Sequence, residues 1–190
     1  MHILLHICCG PCAIYPLHLL HGEGHCVTGL FHNPNIHPFQ EFSARRLAAE
    51  ELAGQLKVPL EVDRRYGLRE FVRQVVHQEE ERCGLCYRMR LRATAERARA
   101  LAVDGFSSSL LYSRHQQHGR IQAIGEEEAV RAGVAFVYRD FRRGWQQGID
   151  ESRARGLYRQ QYCGCIYSEE ERYDPARRRA GQSKKTRKTP

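Results

Sequence analysis

Seven of the eight cysteines fall into three short clusters, and these clusters carry most of the chemistry that the sequence offers. At the first turn of a helix, two cysteines three residues apart lie on one face, where free backbone N–H groups stabilise thiolates. One such pair is half of a tetrahedral ligand set, and two further thiols would complete it. The clusters are Cys8-Cys9-Gly10-Pro11-Cys12, Cys83-Gly84-Leu85-Cys86 and Cys163-Gly164-Cys165.

Cys83 and Cys86 would supply one half of the ligand set, and Cys8 with Cys9, or Cys9 with Cys12, the other half. Four thiolates suit zinc or an iron–sulfur cluster equally well by number, and the spacing alone slightly favours zinc. Such a zinc ion could have a structural role only, fastening a helix to the rest of the fold. Clustered thiols in a chain without a recognisable secretion signal indicate a metal or redox centre rather than a disulfide framework.

The third cluster differs from the other two because a single residue separates Cys163 from Cys165. A disulfide between them would close a small, strained ring, and strained disulfides are oxidising and exchange readily. The spacing therefore predicts a redox-active pair, with two ligands for a second metal ion as the alternative. Cys26 stands alone in an apolar run, which predicts a small core residue.

Cys9-Gly10-Pro11-Cys12 also matches the active-site motif of thioredoxins, since it follows an apolar run and precedes a helical pattern. A thioredoxin fold needs a strand and a helix before this motif, whereas seven residues precede Cys8 here. The thioredoxin interpretation also leaves five clustered cysteines without a role. A thiol–disulfide oxidoreductase that uses Cys9 and Cys12 remains the alternative hypothesis at this point.

Short apolar runs alternate with longer helical patterns along the chain, which is typical of an α/β protein. This alternation predicts a Rossmann-like parallel sheet with helices on both faces, joined by right-handed crossovers. Ligands of such sheets bind beyond the carboxyl ends of the strands, where Cys8, Cys9 and Cys12 would lie. The predicted strands are residues 3–7, 26–31, 60–62, 105–111 and 134–138, and helices are predicted at 13–21, 39–57, 68–77, 83–102, 121–132 and from about 143 to 161.

The net charge of +8 is concentrated at the C-terminus. Residues 177–190 hold seven positive charges and no acidic residue, which leaves +1 for residues 1–176. We therefore predict a single α/β catalytic domain over residues 1–168 and a basic, disordered tail over 169–190. The tail could attract a polyanion such as RNA, or could simply aid solubility. The same two alternatives, phosphate contact or a solvated surface, apply to the arginines of helix 83–102, which are Arg88, Arg90, Arg92, Arg97 and Arg99.

No run of about 18 apolar residues is present, so the sequence predicts no membrane span. The apolar start, residues 1–7, has no Lys or Arg ahead of it, which argues against a secretory signal. We therefore expect a cytoplasmic protein.

Six motifs follow one another from about residue 2 to residue 168. They are Leu4-Leu5-His6-Ile7-Cys8-Cys9-Gly10-Pro11-Cys12, Phe31-His32-Asn33-Pro34-Asn35-Ile36-His37-Pro38, Arg82-Cys83-x-x-Cys86-Tyr87-x-Met89-Arg90-Leu91-x-x-Thr94-Ala95, Ser108-Ser109-Leu110-Leu111-x-Ser113, Asp140-Phe141-Arg142 and Tyr158-Arg159-Gln160-x-Tyr162-Cys163-Gly164-Cys165-Ile166-x-Ser168. Together these motifs resemble the cobalamin-independent epoxyqueuosine reductases, the QueH family. One departure lies directly after the fourth motif, where Arg114, His115 and Gln116 stand in place of a proline and an aromatic residue.

The resemblance implies a sheet related to the ATP-pyrophosphatase (HUP) superfamily. It also implies a reaction, the reduction of the epoxide of epoxyqueuosine in tRNA to the cyclopentene of queuosine, which is the last step of queuosine synthesis. The implied partners are the anticodon loop of the tRNA and an external electron donor. The implied site residues are Cys8, Cys9, Cys83 and Cys86 around a [4Fe-4S] cluster, Cys12 beside a second, mononuclear iron, Cys163 and Cys165 as the redox-active pair, and Asp140, Tyr158 and Tyr162 as candidate proton donors.

Overall fold

The computed structural model describes residues 1–176, in which five strands alternate with seven helices. The strands are β1 (His2–His6), β2 (Cys26–Phe31), β3 (Leu60–Val62), β4 (Gly105–Ser108) and β5 (Ala135–Phe136). The helices are α1 (Gly10–Gly22), α2 (Phe39–Leu56), α3 (Leu68–Val75), α4 (Arg82–Ala100), α5 (His118–Ala132), α6 (Trp145–Ala154) and α7 (Ile166–Tyr173). Short 3₁₀ turns occupy Glu79–Glu81, Ser109–Tyr112 and Phe141–Gly144.

All five strands are parallel and lie in the order β3-β2-β1-β4-β5. The chain builds outward from β1 through β2 to β3 and then returns to the other side of β1 for β4 and β5. The order of the strands therefore reverses between β1 and β4. In open parallel sheets, ligands bind in the crevice beyond the carboxyl ends of the strands at this reversal.

The central strand is buried because its residues are apolar on both faces. Ile3, Leu4 and Leu5 are fully buried, as expected for a parallel strand that helices cover from both sides. Helix α1 packs against α2 and α6, while α4 packs against α3 and α5. The predicted fold class, an α/β protein with a Rossmann-like parallel sheet, is confirmed.

Helices α1 and α2 approach each other closely within the first cysteine cluster, at Gly10. A Cβ atom at Gly10 would lie 2.5 Å from the carbonyl oxygen of Ala48, a contact that only a residue without a side chain avoids. Gly10 thus lets α1 begin directly against α2 and fixes where Cys8 and Cys9 stand.

The structure differs from the predicted elements near the ends of β4 and α6. The predicted strand 105–111 ends at Ser108, because the Ser108 hydroxyl accepts a hydrogen bond from the Leu110 N–H, 3.1 Å away, and caps a 3₁₀ turn. Helix α6 ends at Ala154, and residues 155–165 form an irregular segment, here called the strap. The prediction that Cys26 is a core residue was wrong, since Cys26 is exposed at the start of β2.

The boundary predicted at residue 168 falls within α7. Of the eight basic residues of the predicted tail, Arg172 lies in α7, and the seven in residues 177–190 lie outside the described residues. No helix within residues 1–176 is both long and apolar enough to cross a membrane.

Candidate metal and redox centre

The first thiol group, Cys8, Cys9 and Cys12, lies at the switch point of the sheet. Strand β1 ends at His6 and α1 begins at Gly10, so the three cysteines occupy the crevice position of the fold. All three are buried, and their sulfurs lie within 4.8 Å of one another. The Cys8 and Cys9 sulfurs are 3.8 Å apart.

Ser109, the first residue after β4, holds Cys8 from across the switch point. Its hydroxyl accepts a hydrogen bond from the Cys8 N–H at 3.0 Å and donates one to the Cys8 sulfur at 3.4 Å. Hydrogen bonds from Cys12 and Cys9 hold the pKa of Cys8 well below its usual range. The pKa of Cys9 is raised by burial, and that of Cys12 is raised by its hydrogen bond to Cys8. Cys8 is therefore the thiol of this group that loses its proton most readily, and thiols that are protonated would release their protons on binding a metal.

The second thiol group consists of Cys83 and Cys86, at the start of α4, with Cys163 and Cys165 at the end of the strap. Cys86 and Cys165 share a small apolar cluster. The pKa of Cys86 is raised to about 12, mainly by burial and to a lesser extent by charge on Cys163 and Cys165, while the charge of Arg90 opposes the rise. Burial and the same two neighbours raise the pKa of Cys83. Among residues 1–176, the first group is the one set of three or more possible metal ligands that all lie within 4.8 Å of one another. The predicted tetrad of Cys8, Cys9, Cys83 and Cys86 therefore does not form one such compact set and spans two groups.

Arg90 on α4 lies between the two thiol groups and is only 2% exposed. Its Nη2 donates to the Cys86 sulfur at 2.8 Å, and its charge acts on Cys8 and Cys163. The suggestion that Arg90 faces phosphates or solvent was therefore wrong. Three other arginines of the helix pair with acids instead: Arg88 and Arg92 with Glu128, and Arg97 with Glu61.

Two glutamines that the sequence analysis did not assign a role also donate hydrogen bonds to sulfurs. Gln116 Nε2 donates a hydrogen bond to the Cys163 sulfur at 3.1 Å. The side-chain oxygen of Gln116 accepts a hydrogen bond from the Tyr87 hydroxyl at 2.7 Å. Gln160 Nε2 lies 3.2 Å from the Cys12 sulfur. The departure of Arg114, His115 and Gln116 from the family pattern is the signal that could have identified Gln116.

The predicted proton donors all have defined partners. The Tyr162 hydroxyl donates to the His37 carbonyl at 2.7 Å, and burial raises the pKa of Tyr162. The Tyr158 hydroxyl donates a hydrogen bond to Glu41. Burial and this contact raise the pKa of Tyr158 to about 12. Asp140 accepts two hydrogen bonds of 2.7 Å from Arg142, which lower its pKa to about 2. This pairing keeps Asp140 ionised and does not favour its predicted role, which stays a prediction.

A cavity of about 690 Å³ joins the two thiol groups. Its volume suits a small-molecule or nucleoside ligand, because such sites measure about 300–1,000 Å³. Thiols of both groups line it, and so do polar, cationic and aromatic side chains that could bind a charged, flat ligand. The lining includes Cys8, Cys12, Cys163, Arg90, Gln116, Trp145, Arg159, Gln160, Tyr162 and Arg172.

A solved structure from Methanocaldococcus jannaschii, titled as a predicted subunit of a tRNA methyltransferase, is similar to this chain in fold. Its TM-score is 0.54 at 12% identity, and the match covers 80% of this chain and 74% of that one. At this identity the likeness bears on the fold alone, and it agrees with the parallel sheet described above.

Sequence comparison gives closer relatives. The chain is 37% identical over 171 residues to a Dehalococcoides mccartyi protein named Epoxyqueuosine reductase QueH, covering 90% of this chain and 94% of the relative. It is 32% identical over 180 residues to a protein of the same name from Thermotoga maritima, covering 87% and 89% of the two chains. Residues 3–171 match the family described as Epoxyqueuosine reductase QueH, and both thiol groups lie within this range. This chain therefore belongs to the epoxyqueuosine reductase QueH family.

Proposed function

We propose that this protein reduces the epoxide of epoxyqueuosine in tRNA to the cyclopentene of queuosine. The observation that carries the proposal is the meeting of two thiol groups at one cavity, in a chain that matches the reductase family over residues 3–171. The family supports this function rather than a thioredoxin-like oxidoreductase or a zinc-stabilised RNA-binding module. A tRNA substrate and an external electron donor also favour a cytoplasmic location.

The thiol groups fit a thiolate-bound iron–sulfur cluster. Arg90 is buried and has no carboxylate ion pair among the residues that the structure describes, whereas a buried cation requires a compensating anion. Metal-bound thiolates would supply that negative charge. We assign Cys8, Cys9, Cys83 and Cys86 to the [4Fe-4S] cluster and Cys12 to an adjacent mononuclear iron.

A single ion is the competing occupant of the first thiol group. Thiolates bound tetrahedrally at about 2.3 Å from zinc lie about 3.8 Å from each other. The Cys8 and Cys9 sulfurs have this separation. Metal analysis is therefore part of the test below.

The reaction requires two electrons and two protons for each epoxide, and its oxygen leaves as water. A bound iron–sulfur cluster would supply electrons one at a time, at a potential that depends on hydrogen bonds to its sulfurs. Cys163 and Cys165 can supply the two electrons and two protons together by passing from dithiol to disulfide. The external donor then restores the dithiol. Both cysteines are free thiols in the structure.

The residues that line the cavity have the chemistry to bind a nucleotide. Arg159 and Arg172 could bind phosphate, and Trp145 could stack on a base. A base reaches such a pocket only when it is unpaired, which an anticodon loop allows at low cost. Tyr162, which lines the cavity, is the proposed proton donor. The same role for Asp140, which Arg142 keeps ionised, stays a prediction that the Asp140→Asn variant below tests.

The test is anaerobic purification followed by analysis of iron, sulfide and zinc and an assay on tRNA that carries epoxyqueuosine. We expect a brown protein that contains iron and sulfide and forms queuosine, measured by mass spectrometry of the digested tRNA. Cys83→Ala should lose colour and activity, whereas Cys26→Ala, which changes an exposed cysteine of β2, should retain both. Zinc in place of iron, or queuosine formed by the Cys83→Ala protein, would refute the proposal.

A further inference from the structure

Arg45 of α2 is almost fully buried, at 1% exposure, and its guanidinium binds the strap rather than solvent. Nη2 donates to the carbonyl oxygen of Tyr162 at 2.9 Å, and Nη1 donates to that of Cys163 at 2.8 Å. Nε donates to the Glu41 carboxylate at 2.6 Å. The planar fork of Arg45 therefore fixes two successive peptide groups just before the Gly164 turn.

The contacts around Arg45 extend to both ends of this part of the strap. Glu41 also accepts the hydroxyl of Tyr158, so a single carboxylate holds Arg45 and the earlier part of the strap. The His37 N–H donates to the Gly164 carbonyl at 2.8 Å. The carbonyl groups of residues 162 and 163 are thus bound by α2, and that of residue 164 by the segment that leads into α2.

Gly164 is suited to this arrangement. Its φ of +148° is one that residues with side chains rarely adopt, and a Cβ there would lie 3.3 Å from Arg45 Nη1. The turn between the two redox cysteines therefore has its present shape because Arg45 packs directly against it.

The two thiols on either side of Gly164 have different surroundings. The Cys163 sulfur accepts the hydrogen bond from Gln116, whereas Cys165 packs in the apolar cluster with Phe71 and Val75. A disulfide requires the sulfurs to approach to about 2.05 Å, so at least one thiol must leave its place. With the intervening peptide groups bound to Arg45, the backbone resists this movement.

We propose that Arg45, supported by Glu41, is a positioning residue that stabilises the dithiol form of Cys163 and Cys165 and so makes the pair more easily reduced. Stabilising the reduced form raises the reduction potential of a dithiol pair. The pair would then hold its two electrons between turnovers. This inference rests on the redox role assigned to the pair under the proposed function.

The test measures the dithiol–disulfide equilibrium of the full chain, without the tRNA reaction. In anaerobic mixtures of reduced and oxidised dithiothreitol, the Cys163–Cys165 dithiol passes two electrons and two protons to oxidised dithiothreitol, giving the protein disulfide and reduced dithiothreitol. Alkylation then traps the free thiols. The tryptic peptide 160–172 contains these two cysteines and no other, so mass spectrometry reports the pair alone.

We expect Arg45→Gln to shift this equilibrium about tenfold toward the disulfide, which corresponds to about 30 mV. Arg45→Lys keeps the positive charge but not the planar guanidinium fork, so its dithiol–disulfide equilibrium should lie between those of Arg45→Gln and the unchanged protein. Arg46→Gln is the matched control, because Arg46 pairs with Glu50 at the same i,i+4 spacing on the same helix, 2.8 Å apart, without touching the strap. Its equilibrium should equal that of the unchanged protein.

Tyr158→Phe keeps the test decisive if Arg45→Gln fails to fold. It removes the hydroxyl that binds Glu41 and should shift the equilibrium in the same direction by a smaller factor. No shift in a folded Arg45→Gln or Tyr158→Phe protein, or an equal shift in Arg46→Gln, would overturn the role of Arg45. If the pair of the unchanged protein forms no reversible disulfide, the redox assignment under the proposed function fails instead.

Discussion

The two thiol groups are built in different ways. The first comes from five consecutive residues, Cys8 to Cys12, placed by the end of β1 and the start of α1. The second joins cysteines of α4 to cysteines of the strap that lie at least 77 residues further along the chain, since 163 − 86 = 77. The strap is an irregular stretch that depends on side chains of other elements. Spacing along the sequence therefore specifies the first group, whereas long-range contacts through Arg45, Arg90 and Gln116 specify the second.

The largest effect is expected from Arg90, which links the groups. Arg90→Gln removes a buried positive charge beside Cys86 and near Cys8 and Cys163. Cys8 and Cys86 are proposed ligands of the iron–sulfur cluster, and loss of a partner of metal ligands typically lowers metal affinity or activity by about 10–100-fold. We expect a fall of this size in iron retained after timed exposure to a chelator.

Arg99→Gln, an exposed arginine of the same helix, is the control for Arg90→Gln and should retain its iron. Iron retention within twofold of the unchanged protein in Arg90→Gln would show that the two groups function without this charge.

A substitution at Gly10 tests how rigidly the first group is placed. In Gly10→Ala, the new Cβ would lie 2.5 Å from the Ala48 carbonyl oxygen, so α1 must move away from α2. We expect a loss of about 1–3 kcal/mol in the free energy of unfolding, measured in urea.

Gly22→Ala provides the opposite control near the end of the same helix, because a Cβ there meets nothing within 4 Å. Alanine is favoured over glycine in helices, so the free energy of unfolding of the Gly22→Ala protein should be unchanged or slightly higher. Equal stability of the Gly10→Ala and Gly22→Ala proteins would mean that the α1–α2 approach does not hold the first group.

The different construction of the groups also explains what the sequence could predict. Apolar runs and cysteine spacing were sufficient for the parallel sheet and for the position of Cys8, Cys9 and Cys12. Residue type alone predicts that Arg90 shares a polar face of α4 with the other arginines of that helix. Its spacing from Cys83 and Cys86, seven and four residues, places all three on one side of α4 and was the signal that could have found it. Arg45 gave no such signal, since its pairing with Glu41 is an ordinary i,i+4 pattern and its partners in the strap lie 117 and 118 residues away.

Gln116 and Gln160 allow the two groups to be compared through equivalent hydrogen bonds. Each amide donates to one sulfur, Gln116 to Cys163 and Gln160 to Cys12. A hydrogen bond of this kind contributes about 1 kcal/mol, or about fivefold in an equilibrium or rate. Gln116→Ala should slow alkylation of Cys163 about fivefold, because the thiolate loses its donor.

Gln160→Ala should leave the alkylation of Cys163 unchanged, since its amide contacts the first group. Equal slowing in both variants would mean that the groups are coupled through the cavity rather than held separately.

The smallest effect is expected from a substitution of Asp140, because its ion pair with Arg142 lies outside both thiol groups. Hydrogen bonds from Arg142 lower the pKa of Asp140 from 3.8 to about 2. A carboxylate with a lowered pKa in the folded state stabilises the protein above its ordinary pKa, and this contribution is lost as the pH falls through the folded value. The unchanged protein should therefore lose part of its stability between about pH 4 and pH 2.

Asp140→Asn should lack this part of the acid transition and be slightly less stable at pH 7, by an amount typical of a partly exposed ion pair. Thermal unfolding across this pH range measures the difference, which should disappear below about pH 2. The same variant tests the proton-donor role, because loss of an ion pair alone leaves the reduction rate at pH 7 near that of the unchanged protein. A large fall in that rate, with the acid transition unchanged, would place Asp140 in the reaction and extend the functional region from the two thiol groups to the 3₁₀ turn before α6.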